Sequence, residues 1–355
     1  MDNGAKALLD RIEQSSIMDH YSLLGDGNIR PYDWERVEAR LAGNQRGLWR
    51  FFLLGQGLSE AEAAELLGQT ALDFLLRHKL CRAVKGKLSM GTVRLVSYCG
   101  GRFFVERGTS VSAYLGEDVK ALMAIMPRMY QGRCLCLYPA GAVEVWPLAA
   151  TPELELDFAE IKTRPEILQA NLELNFAATT RRVVRSFGAR DAKYDLIVSN
   201  VPSYFQPPGV KLPKHAAGGS DGLKCLRRAL ALAKKMLTEE GEAVMTFVFF
   251  AAPDSRDMEA RLSTLLKPFG LDYSIVVSSK LLMEPGVPIF NHLVSLAEIS
   301  HPDELDSVMK KTLRHGVKKH FGAVYLIRGR FWKSAKPIMQ RITNYSDTYY
   351  GTWTI

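Results

Sequence analysis

From Pro31 onward apolar residues recur at helical spacing: Trp34, Val37 and Leu41, then Leu48, Phe51, Phe52 and Leu54. That is the pattern of amphipathic helices buried along one side. Ser59, three residues ahead of Glu62 and followed by an Ala/Leu-rich run, predicts a helix start with a capping box. Another helical stretch over 71–78 precedes two extended runs, 91–98 and 102–106, around a Cys-Gly-Gly turn. Three or so helices and then a hairpin predict a winged-helix-like module over residues 31–108. Residues 1–30 are polar and loosely patterned, and predict an arm with one short helix.

After Leu115 the rhythm changes. Strand-like runs over 133–137, 154–158, 182–186, 194–199, 242–250, 273–277, 291–296 and 323–328 alternate with helical patterns. The helical patterns fall over 118–126, 165–175, 222–237, 258–267 and 302–315. Alternation of this kind predicts an α/β fold, an open and mostly parallel sheet with helices on both faces. Ligands of such sheets bind outside the carboxyl ends of the strands.

Composition narrows the class without naming it. With 47% hydrophobic and 24% charged residues over 355 positions, the chain is neither disordered nor fibrous. Its length predicts two domains, or one with an appendage. No apolar run approaches the roughly 18 residues a membrane helix needs, and the Met-Asp-Asn-Gly start has no signal-peptide pattern. The five cysteines, Cys81, Cys99, Cys134, Cys136 and Cys225, form no paired CxxC motif. A disulfide framework and a metal site are therefore not expected, and the chain reads as cytoplasmic. Cys134 and Cys136 read as inert thiols packed on opposite faces of a buried strand.

The net charge of +8 admits a nucleic-acid partner, but its location matters more than its size. Residues 310–341 hold ten Lys/Arg and no acid; without them the chain counts 36 basic against 38 acidic residues. The nearest thing to a basic patch in the N-terminal module is Lys79, Arg82, Lys85 and Lys87. A tail over 334–355, with Tyr345, Tyr349, Tyr350 and Trp353, is expected to pack on the domain or on a second subunit.

The segment Tyr194-Asp-Leu-Ile-Val-Ser-Asn200-Val201-Pro202-Ser203 reads as an apolar strand ending in an Asn-x-Pro turn. Gly218-Gly219-Ser220-Asp221-Gly222-Leu223 then opens a long helix, and Leu237-Thr-Glu-Glu-Gly241 turns into the next strand. This layout resembles class I S-adenosylmethionine-dependent methyltransferases of the HemK/small-domain type, with Tyr114-Leu115-Gly116-Glu117-Asp118 similar to their segment before the first core strand. The resemblance spans roughly residues 31–333. It implies a Rossmann-like methyltransferase domain over 109–333 and an S-adenosylmethionine cofactor without a metal. Asn200, Ser203 and Tyr204 fall at the acceptor site. Tyr138, Gly141, Glu160, Lys162 and Ser186 fall at the cofactor positions.

The departures are specific. The family's glycine-rich loop after the first strand corresponds to Leu135-Cys136-Leu137-Tyr138-Pro139-Ala140-Gly141-Ala142. The three glycine places are thus filled by Tyr138, Ala140 and Ala142, and the acid by Cys136. The ribose-binding acid at the end of the second strand corresponds to Lys162, which cannot accept a hydrogen bond, with Glu160 two residues earlier. Ser203 stands where the acceptor-stacking ring belongs, with Tyr204 next. Tyr138, Trp146, Phe158, Phe176, Tyr204 and Phe205 all fall near predicted strand ends, and in one cavity would suit a flat or cationic ligand.

Three readings stay open. One is a methyltransferase fold with an eroded cofactor site, a pseudoenzyme or repurposed member in small-molecule or peptide biosynthesis, or a subunit beside an active partner. The second is an active enzyme with a divergent pocket, acting on a small molecule or protein side chain; the third is a nucleic-acid binder or modifier. Homodimerisation is among the partner readings, and a membrane is not. His215, Asn200 and the Gly218-Gly219 pair each also have an ordinary structural use, as loop residue, strand-end cap and flexible helix entry.

Overall fold

The computed structural model describes residues 2–22, 31–106, 115, 117–126, 132–139, 141–151, 154–160, 164–176, 180–183, 192–206, 210–212, 216–251, 255–270, 272–282, 321–330 and 338–341. Six helices come first: α1 (Asn3–Ser15), α2 (Ile17–Ser22), α3 (Pro31–Glu38), α4 (Gly43–Trp49), α5 (Glu60–Leu67) and α6 (Gln69–Arg77). A π-helical turn, Arg50–Leu54, extends α4. Ser59 and Glu62 form the expected capping box: Glu62 N donates to Ser59 Oγ at 3.2 Å, and Ser59 N donates to Glu62 Oε2 at 2.7 Å.

Residues 2–22, within the stretch expected to be an arm, carry two helices that enter the core. Ala5, Leu8 and Ile12, one stripe of α1, are fully or almost fully buried, as is Tyr21. The polar residues between them hide this in the sequence, because a narrow apolar stripe is enough to seat a helix. The carboxylate of Asp2 caps α1, accepting from Gly4 N and Ala5 N at 2.8 and 3.1 Å. It also accepts from Arg77 at 2.8 Å.

Two hairpins follow. The first, β1 (Arg82–Val84) with β2 (Lys87–Ser89), has no counterpart in the hydrophobic pattern; the second, β3 (Val93–Tyr98) with β4 (Gly101–Glu106), is the expected pair. Next come α7 (Glu117–Ile125), β5 (Arg133–Leu137), a 3-10 turn (Val143–Leu148), β6 (Glu155–Ala159) and α8 (Pro165–Asn175). The remainder is β7 (Thr180–Val183), β8 (Tyr194–Asn200), α9 (Lys224–Met236), β9 (Leu237–Ala251), α10 (Ser255–Leu266), β10 (Asp272–Leu282), β11 (Phe321–Arg330) and β12 (Ile338–Arg341).

The large sheet has the order β12-β10-β11-β9-β8-β5-β6-β7. Every pairing is parallel except those of β11 with β9 and β10. The chain runs outward from β5 through β6 to β7, then returns to β8 on the other side of β5. This reversal defines the crevice between β5 and β8 as the switch point of a doubly wound sheet. It is the Rossmann-like sheet that the resemblance implies. β12 adds a strand at the far edge from residues expected to form a tail; the tail's aromatic residues lie outside the described ones.

Strand alternation divides the apolar residues between two faces. Leu135, Leu137 and Ile197 pack with Leu226, Leu230 and Ala233 of α9 and with Leu262 and Leu266 of α10. Cys134, Cys136, Leu196 and Val198 pack with Leu122 of α7 and Leu168 and Leu172 of α8. Cys134 and Cys136 therefore lie on one face, not two, because residues two apart in a strand point the same way. Burial pushes both thiols well up, and Cys81 up to about 11.

The helical N-terminal part shares its core with the sheet domain through Ile167, Ala170 and Leu174 of α8. At that seam two asparagines of α8 treat β4 as a neighbouring strand would. Asn171 Oδ1 accepts from Phe104 N at 2.6 Å and its Nδ2 donates to Phe104 O at 3.0 Å. Asn175, one helical turn on, repeats the exchange with Arg102 N and O at 3.0 and 2.6 Å. Residues 102 and 104 share one side of the β4 backbone, and i, i+4 share one face of the helix, so the two amides match the strand's repeat.

Replacing Asn171 by Ala is expected to cost about 3 kcal/mol or more in urea denaturation. It strands a buried N–H and carbonyl, each carrying a penalty of about 1–3 kcal/mol. Asn175→Ala, at the wetter end, is expected to cost less. The Arg77 guanidinium lowers the Asp2 carboxyl below its ordinary value. That contribution to stability is therefore complete above the ordinary carboxylate range, near pH 4, and is lost as pH falls through the lowered value. Asp2→Ala should show a correspondingly flatter acid limb in a pH–stability profile.

Candidate functional site

The carboxyl ends of β5, β6 and β8 meet at the switch point, and the backbone there is unusual. Tyr138, directly after β5, has φ +55°; Gly141 has φ +91°, Ala142 +67° and Glu160, directly after β6, +55°. Left-handed backbone costs a non-glycine residue about 1–2 kcal/mol, and such residues concentrate at functional sites. The loop after β5 thus takes a glycine-type course with bulkier residues in it. Its neighbours hold it there: Tyr138 N donates to Ala159 O at 3.0 Å, and Asn171 Nδ2 donates to Gly141 O at 3.0 Å.

The Tyr138 ring is 4% exposed and packs into the α9-side cluster. Its hydroxyl reaches the Cys225 carbonyl in the first turn of α9, at 3.5 Å. Burial is the main cause that pushes its phenol above the ordinary value, with Cys225 and the charge of Glu160 adding to it. Glu160 is itself engaged: Arg228, one turn further along α9, donates to its Oε1 at 2.6 Å. Where the family presents glycine and a free acid, this edge presents a buried ring and a carboxylate paired across to α9.

The acceptor side is different. Asn200 ends β8 half-buried, and its side-chain amide makes no hydrogen bond among the described residues. Ser203 is buried, and its Oγ accepts from Val248 N of β9 at 2.7 Å, so its hydroxyl braces the loop against the sheet. Tyr204 is buried too; burial, and after it the charge of Asp118 in α7, pushes its phenol up. Tyr204 N donates to Ala216 O at 2.9 Å and Tyr204 O accepts from Gly218 N at 2.8 Å.

Gly218 and Gly222 are more than a flexible helix entry. A Cβ on Gly218 would lie 2.7 Å from Ser203 Cα, and one on Gly222, where φ is +74°, 2.7 Å from Ser203 O. The Asn-x-Pro-Ser turn and the Gly-Gly-Ser-Asp-Gly-Leu segment are therefore two halves of one backbone contact. Asp221 finishes it, with Oδ1 accepting from Leu223 N at 2.9 Å.

Tyr138, Glu160 and Gly141 converge on the β5–β6 side of the crevice, and Asn200, Ser203 and Tyr204 on the β8 side. Lys162, Ser186 and His215 lie outside the described residues. The six aromatics do not line one cavity: Tyr138 faces α9, whereas Phe158 and Phe176 are buried on the opposite face. Trp146 stacks edge-on against Phe103 and Phe176 and donates to Cys99 O at 2.8 Å. Packing of sheet against helices took these rings, since each strand face must be covered.

Three structural features have no counterpart in the sequence analysis: the Asn171 amide, the Arg228–Glu160 pair, and the backbone contact that requires glycine at 218 and 222. A polar residue repeated at i, i+4 on the apolar α8 was the available signal for Asn171. Nothing local marks Arg228, whose partner lies 68 positions away. Among the described residues no group of three His, Cys, Asp or Glu side chains is placed to hold a metal ion, and no helix is long and apolar enough to cross a membrane.

No family model matches the chain. Among solved structures it is similar to the YcgJ protein from Bacillus subtilis, at 12% identity over 60% of this chain and 97% of that one, with a TM-score of 0.39. It is similar to Trm5b from Pyrococcus abyssi at 12% identity, over 71% of this chain and 62% of that one, with a TM-score of 0.37. M. jannaschii TYW2, solved in complex with AdoMet, matches at 13% identity over 67% and 87%, again at 0.37. At these scores the likenesses carry no argument, and the strand order describes the fold.

Gly218→Ala is expected to destabilise the protein by about 1–3 kcal/mol, the usual cost of overpacking, as a lowered denaturation midpoint. Gly222→Ala adds left-handed strain to its clash, and should cost at least as much.

Proposed function

We propose that this methyltransferase-fold protein has given its S-adenosylmethionine place to its own side chains. It acts as a non-catalytic subunit or a repurposed ligand-binding member, in small-molecule or peptide biosynthesis. The observation that carries this reading is the buried Tyr138 ring in a loop whose backbone still follows the glycine-type course. The side chains at this edge do not fit the cofactor held as the resemblance implies. The Tyr138 ring is buried against α9 at a place where the resemblance implies glycine, and Glu160, the residue nearest the implied ribose-side acid, is already paired with Arg228. The helices and hairpins before residue 108 belong to this proposal as a winged-helix-like module. Five free cysteines suit a reducing compartment such as the cytoplasm.

Isothermal titration with S-adenosylmethionine and S-adenosylhomocysteine tests the reading. No heat of binding is expected at millimolar ligand, and micromolar binding to the wild type would overturn it. Tyr138→Gly should raise affinity for S-adenosylhomocysteine, since the loop already has the backbone shape.

One observation favours the second reading, an active enzyme with a divergent pocket: the Asn200 amide at the crevice has no protein partner among the described residues. In that reading Asn200 holds a planar amino or amide group by positioning, the main demand of in-line transfer. Asn200→Ala would then abolish turnover with little change in stability.

A further inference from the structure

Between Asp73 and Glu106 the chain carries seven Lys/Arg and no acid, and the structure sorts them by use. Arg94 is buried and donates to the carbonyls of Gly91 and Val93 at 2.6 and 2.7 Å. Arg102 donates to Ser97 Oγ at 2.9 Å, and Arg77 pairs with Asp2 and Glu173. Lys87 faces the carboxylate of Glu62. The remainder, Lys79, Arg82 and Lys85, are exposed and form no ion pair among the described residues.

Arg82 and Lys85 lie on one hairpin, and Lys79 precedes it by three residues. Residues 82–87 of the β1–β2 hairpin are exposed without interruption. The Lys85-Gly86 turn, φ +50° and +75°, has the two left-handed residues of a tight two-residue hairpin. At its tip Val84 is 44% exposed. Lys79 stands at the hairpin's base, where its carbonyl accepts from Arg164 at 3.1 Å. Arg164 precedes α8 and lies just beyond the carboxyl end of β6; its guanidinium also pairs with Glu106 at 3.2 Å. Lys79, Arg82 and Lys85 therefore run from the hairpin's base, where the Lys79 carbonyl meets Arg164, to its tip.

The geometry points to this line as a docking strip for the phosphodiester backbone of duplex nucleic acid. Cations without paired carboxylates attract phosphate irrespective of base sequence. A two-stranded ribbon has the size to enter a groove about 12 Å wide. The same count of charge scattered over a surface would steer a polyanion without seating it. Here three exposed cations fall within seven residues of one hairpin and its base. The inference is independent of whether S-adenosylmethionine binds.

Fluorescence anisotropy of the full chain with a labelled random-sequence duplex of about two helical turns tests it. Three phosphate contacts predict a log–log salt slope near −2.7, so affinity should fall about 40-fold between roughly 50 and 200 mM salt. Arg82→Glu combined with Lys85→Glu should leave the melting temperature unchanged and reduce the slope to about −1. The charge-matched Lys310→Glu/Lys311→Glu variant should keep the steep slope. Undetectable binding at the lower salt would overturn the strip, as would equal losses in the two double variants, which would reveal net charge alone.

Discussion

The side-chain amide of Asn171 is the interaction on which the rest of this structure depends. It is fully buried and holds three elements at once: the edge of β4, its own helix α8, and the loop carbonyl of Gly141. An amide side chain has the donor and acceptor of a peptide group, so a helix carrying two of them at i, i+4 can complete a strand edge that would otherwise strand polar backbone in the core. The N-terminal hairpin is thereby fixed to the sheet domain, and the crevice loop is fixed to both. A hydrophobic contact alone would join the same elements without setting their register, because burial of apolar area is non-directional.

That fixation accounts for the form of the crevice. Three non-glycine residues there take left-handed backbone, each at about 1–2 kcal/mol. Burying an aromatic ring such as Tyr138 returns about 1.5–3 kcal/mol, of the same size as its local strain. The loop course is therefore not chosen by its own residues; Asn171 at Gly141 and Ala159 at Tyr138 impose it. The edge is therefore filled on the β5–β6 side, by the Tyr138 ring and the Glu160–Arg228 pair, and polar at Asn200.

The β8 side follows a different rule. Ser203, Gly218 and Gly222 meet backbone to backbone, and the contact requires the absence of Cβ atoms at two positions. Its purpose is geometric: it sets the loop after β8 against the start of α9. The same helix then supplies Cys225 to Tyr138 and Arg228 to Glu160. The family-like signature and the departures from the family are thus linked through one helix.

The sequence by itself determined the α/β alternation, the α5 cap at Ser59, the bounds of α8 and the strand that ends at Asn200. Each rests on periodicity or on capping within a few residues, which is local physics. It also located the altered loop after β5, because a glycine requirement is a property of single positions. It failed where partners are distant. The stripe of α1 has meaning only against the core it enters, the β1–β2 hairpin buries Leu88 alone and so has no period, and Arg228 meets Glu160 only across the fold. Tertiary structure decided which polar groups are taken, since a pairing such as that of Arg228 with Glu160, 68 positions apart, is set by how sheet and helices pack and leaves no trace in spacing.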